Sequence, residues 1–208
     1  MRILLTTVGI CLVALAAIMP IVLSARAARA ALLKDGQEAP PFSTEMVVGD
    51  QLQPVKLSDF RGKTVVLYFY PKDDTPGCTK EACSFRDGFA LFHQAGMVIL
   101  GCSIDGADAH KAFIKKYGLP FPLLLDPGKK IATAYGAANG IPILGLNKRI
   151  TYVIDGDGKI IRVYPKVDPG IHAAEIIKEL DVRQAATRAA AASAKPSAPA
   201  PAAGGGPS

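Results

Sequence analysis

Residues 64–87, TVVLYFYPKDDTPGCTKEACSFRD, run from an apolar β-rich stretch through a proline and a polar turn to a cysteine, then into a helical pattern carrying a second cysteine. Val65 to Tyr70 show no alternation of apolar and polar residues, which fits a central strand buried on both faces. Pro71 stops that strand. Lys72, Asp73, Asp74, Thr75, Pro76 and Gly77 are turn formers, and Phe85, Phe89 and Phe92 then recur at helical spacing, so a helix is expected over 79–94. Cys78 falls in the first helical turn or just before it. Unpaired N–H groups and the positive end of the helix dipole favour an anion there, so the thiolate is the expected form.

Outward from this stretch, strands and helices alternate. Short strands are expected at 46–48 and 55–57 around Gly49-Asp50, after a proline-containing lead-in at 36–42. MVILGCS at 97–103 reads as a second buried strand. An amphipathic helix at 107–117 ends at Gly118, a short strand follows at 123–125, and a short helix at 129–135. Strands at 151–154 and 159–164 flank Asp155-Gly156-Asp157-Gly158, a strong hairpin signal. A last helix at 171–180 should turn Ile171, Ile176, Ile177 and Leu180 inward. The order β, α, β, α, β, α, β, β, α combines parallel crossovers with a terminal antiparallel hairpin. It predicts a thioredoxin-like α/β sandwich, a central mixed β-sheet flanked by helices, over residues 35–182.

The two ends differ from this core. After Arg2 an apolar run reaches Leu23, broken only by Thr6 and Thr7, and small residues around Ser24 to Ala30 offer cleavage sites. Residues 1–30 are therefore expected to be a signal peptide or a membrane anchor, placing the domain outside the cytoplasm, exported to the periplasm or tethered facing it. Arg26, Arg29 and Lys34 beyond the run oppose the usual charge bias for an anchor with its N-terminus inside. From Arg183 onward the chain is alanine, proline, serine and glycine without aromatic or large aliphatic residues, which predicts a disordered tail over 183–208. Four of the 24 basic residues lie in 1–34 and three in 183–208, with no acidic residue in either segment. The core thus has 17 basic against 18 acidic residues, and the formal charge of +6 belongs to the ends. No nucleic-acid partner is expected of such a core.

Pro71, Thr75 and Cys78 stand in the spacing P-x-x-x-T-x-x-C within YFYPKDDTPGCTKEAC, and this resembles the active-site loop of the peroxiredoxins, specifically the Q or bacterioferritin-comigratory subfamily. GCSID at 101–105, LPFPLLLD at 119–126 and RITYVIDGDGKI at 149–160 extend the resemblance over essentially the whole core. The resemblance implies a thiol peroxidase in which Cys78 is the nucleophile. Thr75 would turn its hydroxyl toward the sulfur and the peroxide, and Pro71 would close the pocket against water. Arg149 would bring its guanidinium to the thiolate and polarise the peroxide. Neighbouring Lys148 cannot offer the same planar fork.

Attack on peroxide would leave Cys78 as a sulfenic acid, and the resemblance assigns Cys83 as the thiol that resolves it. Five residues along a regular helix span about 7.5 Å of rise and about 140° of rotation, which separates the two Cα atoms by about 8 to 9 Å, beyond the disulfide limit of about 7 Å. The segment from Gly77 to Arg86 is thus expected to unwind on oxidation. Cys102, at the end of its strand, reads as a packed core thiol.

No cofactor and no metal are expected. His93, His110 and His172 are dispersed, Cys78 and Cys83 alone cannot complete a tetrahedral site, and no glycine-rich phosphate loop follows a strand. Reducing equivalents are expected from thioredoxin or a thioredoxin-like protein by thiol exchange. A monomer is expected, since an intrachain resolving cysteine needs no second subunit. Two other readings stay open on the cysteine pair: an exported thioredoxin-like disulfide reductase, which would want C-x-x-C beside tryptophan where this chain has C-x-x-x-x-C and no tryptophan, and a non-enzymatic redox sensor. The loop from Gly136 to Gly145 is expected to shape the pocket wall and so the choice among peroxides.

Overall fold

The computed structural model describes residues 31–138 and 145–181. Val65 to Tyr70 are each at most 1% exposed, so the unbroken apolar run is buried on both faces. The strands are β1 (Ser43–Val48), β2 (Gln51–Lys56), β3 (Thr64–Phe69), β4 (Met97–Ser103), β5 (Leu123–Leu125), β6 (Ile150–Ile154) and β7 (Ile160–Tyr164). They form one mixed sheet in the order β2-β1-β5-β4-β3-β6-β7. β4 pairs parallel with β3 and β5, and the remaining neighbours are antiparallel. This is the expected thioredoxin-like sandwich.

Alternation along β3 divides the interior into two cores. Val66, Tyr68 and Tyr70 join Cys78, Phe85 and Phe113 on one face. Val65, Leu67 and Phe69 join Cys102, Tyr135 and Tyr152 on the other. The first face is covered by α1 (Pro76–Asp87), α2 (Phe89–Gln94), α3 (Ala107–Tyr117) and α5 (172–181); the second receives α4 (Lys130–Ala134). Gly118 caps α3 in the left-handed conformation at φ 61°, where a side chain would be strained. β2 is an edge strand, which is why Pro54 is tolerated inside it.

The elements depart from expectation in three places. The helix expected over 79–94 starts three residues earlier, at Pro76, and is two helices, divided at Gly88, whose N–H closes the end of α1 onto the Ser84 and Arg86 carbonyls. α5 packs against this break: a Cβ at Gly88 would meet Ile177 Cδ1 at 3.4 Å and Ala173 Cβ at 3.6 Å, ordinary contact distances. Ile171 does not face inward but is 52% exposed. The last helix starts at 172, one residue later than expected, and turns His172, Ala173, Ile176 and Leu180 to the core, with Ile177 half-buried. β1 and β2 are longer than the hydropathy pattern suggests, because their pairing continues through Ser43 to Val48 opposite Gln51 to Lys56, while Leu57 belongs to a short 3-10 turn.

The expected signal peptide or anchor at 1–30, the tail at 183–208 and residues 139–144 of the pocket-wall loop lie outside the described residues. Among the described residues no helix is long and apolar enough to cross a membrane.

Candidate active site

The sulfur at the start of α1 is placed by the chain segment that leaves β3. Tyr70 N–H still donates to the Cys102 carbonyl at 3.1 Å, extending the pairing with β4 by one residue. Pro71, half-buried and lacking an N–H, ends it. Asp74 then takes the left-handed conformation at φ 56°, and its carboxylate is held by Lys116 Nζ at 2.6 Å and by the Tyr117 hydroxyl at 2.5 Å. Thr75 is extended (φ −88°, ψ 149°) and is the N-cap; its carbonyl accepts from Thr79 N–H at 2.8 Å. Pro76 occupies the first helical position, where its fixed φ is already helical. Cys78 follows as the third helical residue, 1% exposed, with its thiol free.

Arg149, which directly precedes β6, lies across this helix start. Its Nη2 donates to Cys78 Sγ at 3.3 Å and its Nη1 to Glu81 Oε2. One guanidinium therefore bridges a sulfur and a carboxylate on the same face of α1, three residues apart. Glu81 is fully buried. Burial pushes its carboxyl up to about 7, against the opposing pull of Arg149. Burial disfavours the Arg149 charge, but Glu81 and Cys78 more than offset this and hold the guanidinium above its ordinary value. Gly77 leaves room for that group, since a Cβ there would sit 3.2 Å from Arg149 Nη2. His172 Nε2 lies 2.8 Å from the Thr151 hydroxyl, and burial, with Arg149 nearby, pushes the ring down to about 4. The ring is neutral near pH 7 and adds no second cation beside Arg149.

The structure thus brings Cys78 and Arg149 into contact. Thr75 and Pro71 lie on the loop immediately before them. The Thr75 hydroxyl donates to the Lys72 carbonyl at 3.0 Å, so its oxygen is left to accept rather than to donate elsewhere. Cys83 is half-buried on the same unbroken helix, its thiol free. Cys102 is fully buried in the opposite core, where burial, with a smaller contribution from Asp126, raises its thiol well above the ordinary value.

Glu81 and Gly77 are the site residues that sequence reasoning missed. The signal for Glu81 was a charged residue at i+3 from Cys78, on the face shared with Ala82 and Phe85, where an apolar residue is usual. Gly77 was legible only as a turn former, because the guanidinium it accommodates comes from a distant part of the chain.

Chemically, this is a nucleophile held dry at a helix N-terminus beside a delocalised cation whose other arm is fixed by a buried carboxylate. It suits attack on an electrophile that leaves as an oxyanion.

Residues 36–163 match the AhpC/TSA family. The chain is 43% identical over 150 residues to peroxiredoxin Bcp of Bacillus subtilis, covering 70% of this chain and 93% of that protein. It is 45% identical over 146 residues to the chloroplastic peroxiredoxin Q of Sedum lineare, covering 70% of this chain and 76% of that one. Among solved structures, a mutant of Xylella fastidiosa PrxQ superposes with a TM-score of 0.67 at 26% identity, over 74% of this chain and 99% of that one.

Proposed function

The chain belongs to the AhpC/TSA family, with relatives of the Bcp and peroxiredoxin Q type, and from that premise we propose that it is a thiol peroxidase acting on hydrogen peroxide and organic hydroperoxides. The observation that carries this reading is the contact of Arg149 Nη2 with Cys78 Sγ at 3.3 Å, at the third position of a helix. The Cys78 thiolate attacks the distal oxygen of the peroxide, an S–O bond forms and the O–O bond breaks. The leaving alkoxide or hydroxide takes a proton and departs as alcohol or water. Arg149 stabilises charge as it develops on the oxygens, Thr75 supplies an oxygen to accept from the peroxide O–H, and Pro71 limits water.

The Cys78 sulfenic acid is then resolved by Cys83. Its thiolate attacks the Cys78 sulfur, an S–S bond forms, the S–O bond breaks, and hydroxide leaves as water. Both cysteines lie on α1, five residues apart, and a regular helix holds their Cα atoms about 8 to 9 Å apart, too far for a disulfide. The first turns of α1 unwind for this step, so the cycle alternates between a folded peroxidatic state and a locally unfolded disulfide state. Thioredoxin or a thioredoxin-like dithiol protein reduces the disulfide, and the intrachain pairing lets a monomer complete the cycle. The apolar N-terminal run supports an exported or membrane-tethered enzyme facing the periplasm.

Stopped-flow oxidation by hydrogen peroxide tests the proposal. Fast single-turnover oxidation of Cys78 and repeated turnover with a dithiol protein are expected. Stoichiometric oxidation without turnover would favour a sensor, and disulfide exchange without peroxide reactivity would favour a reductase.

A further inference from the structure

The loop between β3 and α1 is anchored to the body of the protein by a buried polar cluster outside the sulfur site. Asp73 is 8% exposed, and its carboxylate has two partners. The Tyr70 hydroxyl donates to Oδ1 at 2.7 Å, and His110 Nδ1 lies 2.7 Å from Oδ2. His110 is fully buried on α3, and its other nitrogen, Nε2, is 3.2 Å from the Leu124 carbonyl of β5. The Asp73 backbone N–H donates to Asp105 Oδ2 at 2.8 Å, which also accepts from the Ser103 hydroxyl at 2.8 Å.

These partners fix the proton count. A carbonyl oxygen only accepts, so His110 Nε2 carries a hydrogen. Burial and the Asp73 carboxylate push the Tyr70 phenol well above its ordinary value, so Tyr70 remains the donor. The contact between Nδ1 and Oδ2 then holds one proton, on the ring or on the carboxyl. Either way both rings and the carboxylate are paired, and removing one partner strands another in a dry interior.

We propose that His110 is a positioning residue for the peroxide pocket: through Asp73 it holds the Pro71–Thr75 loop in the one setting from which α1 begins. The proposal rests on the peroxidase reading above. Asp73 stands two residues after Pro71 and two before Thr75, so a displacement at Asp73 passes directly to both pocket residues. The neighbouring anchor, Asp74 with Lys116 and Tyr117, is solvent-exposed and correspondingly weaker. Without His110 the Asp73 carboxylate loses its buried partner and gains by turning toward water, which drags the loop with it.

The test is single-turnover oxidation of the reduced full-length protein by hydrogen peroxide, with helicity checked for each variant. His110→Leu should slow Cys78 oxidation by about tenfold or more, since a shift of about 1 Å in reacting groups is enough for such a loss. His110→Asn, whose amide N–H replaces the ring donor toward Asp73, should recover to within about threefold of the unsubstituted rate. Asp73→Asn should do the same, because its amide can donate to a neutral Nδ1 while its oxygen still accepts from Tyr70. A folded His110→Leu that reacts at the unsubstituted rate overturns the proposal. So does a His110→Asn as slow as His110→Leu, which would reduce the role of His110 to packing. Should the leucine variant fail to fold, the nitrogen-15 spectrum of the unsubstituted protein decides: a proton on His110 Nε2 is expected, and a bare Nε2 overturns the anchor. Failure of the unsubstituted protein to react with peroxide would instead count against the peroxidase reading, leaving the spectrum to judge the anchor alone.

Discussion

Cys78 and Cys102 are equally hidden, at 1% and 0% exposed, yet they lie on opposite faces of the central sheet in surroundings of opposite character. Cys102 sits at the end of β4 opposite Phe69, in a core where burial raises its thiol well above the ordinary value and so favours the protonated form. Cys78 sits at the mouth of α1 with a guanidinium at 3.3 Å. Burial alone therefore does not distinguish the two thiols. What differs is whether fixed positive charge accompanies the loss of water, and α1 and Arg149 supply it on one face only.

Removing the charge should erase most of that difference. Arg149→Met is expected to lower the rate constant for Cys78 oxidation by about 100-fold, the size of losing an oriented donor at a developing anion; rapid-quench kinetics with hydrogen peroxide measure it. Cys83→Ala should preserve the first oxidation but reduce steady-state turnover with a dithiol protein by about tenfold or more, and expose Cys78 to sulfinic acid formation detectable by mass.

Glu81 gives a subtler mark of the same region. Its folded value of about 7 lies above the ordinary carboxylate range, so between that range and about pH 7 the folded chain keeps a proton the unfolded chain has lost. Glu81 therefore stabilises less as pH rises through this window. His172 acts in the other direction. Lowered to about 4, it binds its proton more weakly in the folded chain, and its contribution is lost as pH falls from its ordinary value through about 4. Glu81→Gln should leave the His172 slope alone, so stability measured by urea unfolding should rise more steeply from pH 4 to 7 in the variant. The smallest effect belongs to the other face: Cys102→Ala should change peroxide turnover by less than about twofold, since the apolar core it lines takes no part in the chemistry.

The contrast between the two faces was only half legible in the sequence. The unbroken run of Val65 to Tyr70, the proline stop and the cysteine at a helix start were readable because they are local. Cys102 was readable as core from its place in MVILGCS. Glu81 was not, because the helical pattern shows which face it occupies but not that Arg149, 68 residues later, would meet it there. The Asp73–His110 pair escaped for the same reason: each reads locally as a turn residue or a helix residue, and only the parallel pairing of β3, β4 and β5 brings α3 against the loop. The break at Gly88 had a local signal, a glycine inside an aromatic helical pattern, that the reading of one continuous helix passed over. Ile171 was misplaced because it lies in the turn before the helix, so the helical spacing that places Ile176 and Leu180 inward does not extend back to it.

Mapping where the first oxygen lands tests the central claim most directly. The reduced full-length protein would be treated with one equivalent of hydrogen peroxide, trapped for sulfenic acid at early times, and digested for mass analysis. Label on Cys78, followed by a Cys78–Cys83 disulfide, with Cys102 still a free thiol reachable only after denaturation, is the expected result. Early label on Cys102, or an unlabelled Cys78, would contradict the claim that charge at the start of α1 selects the reactive sulfur.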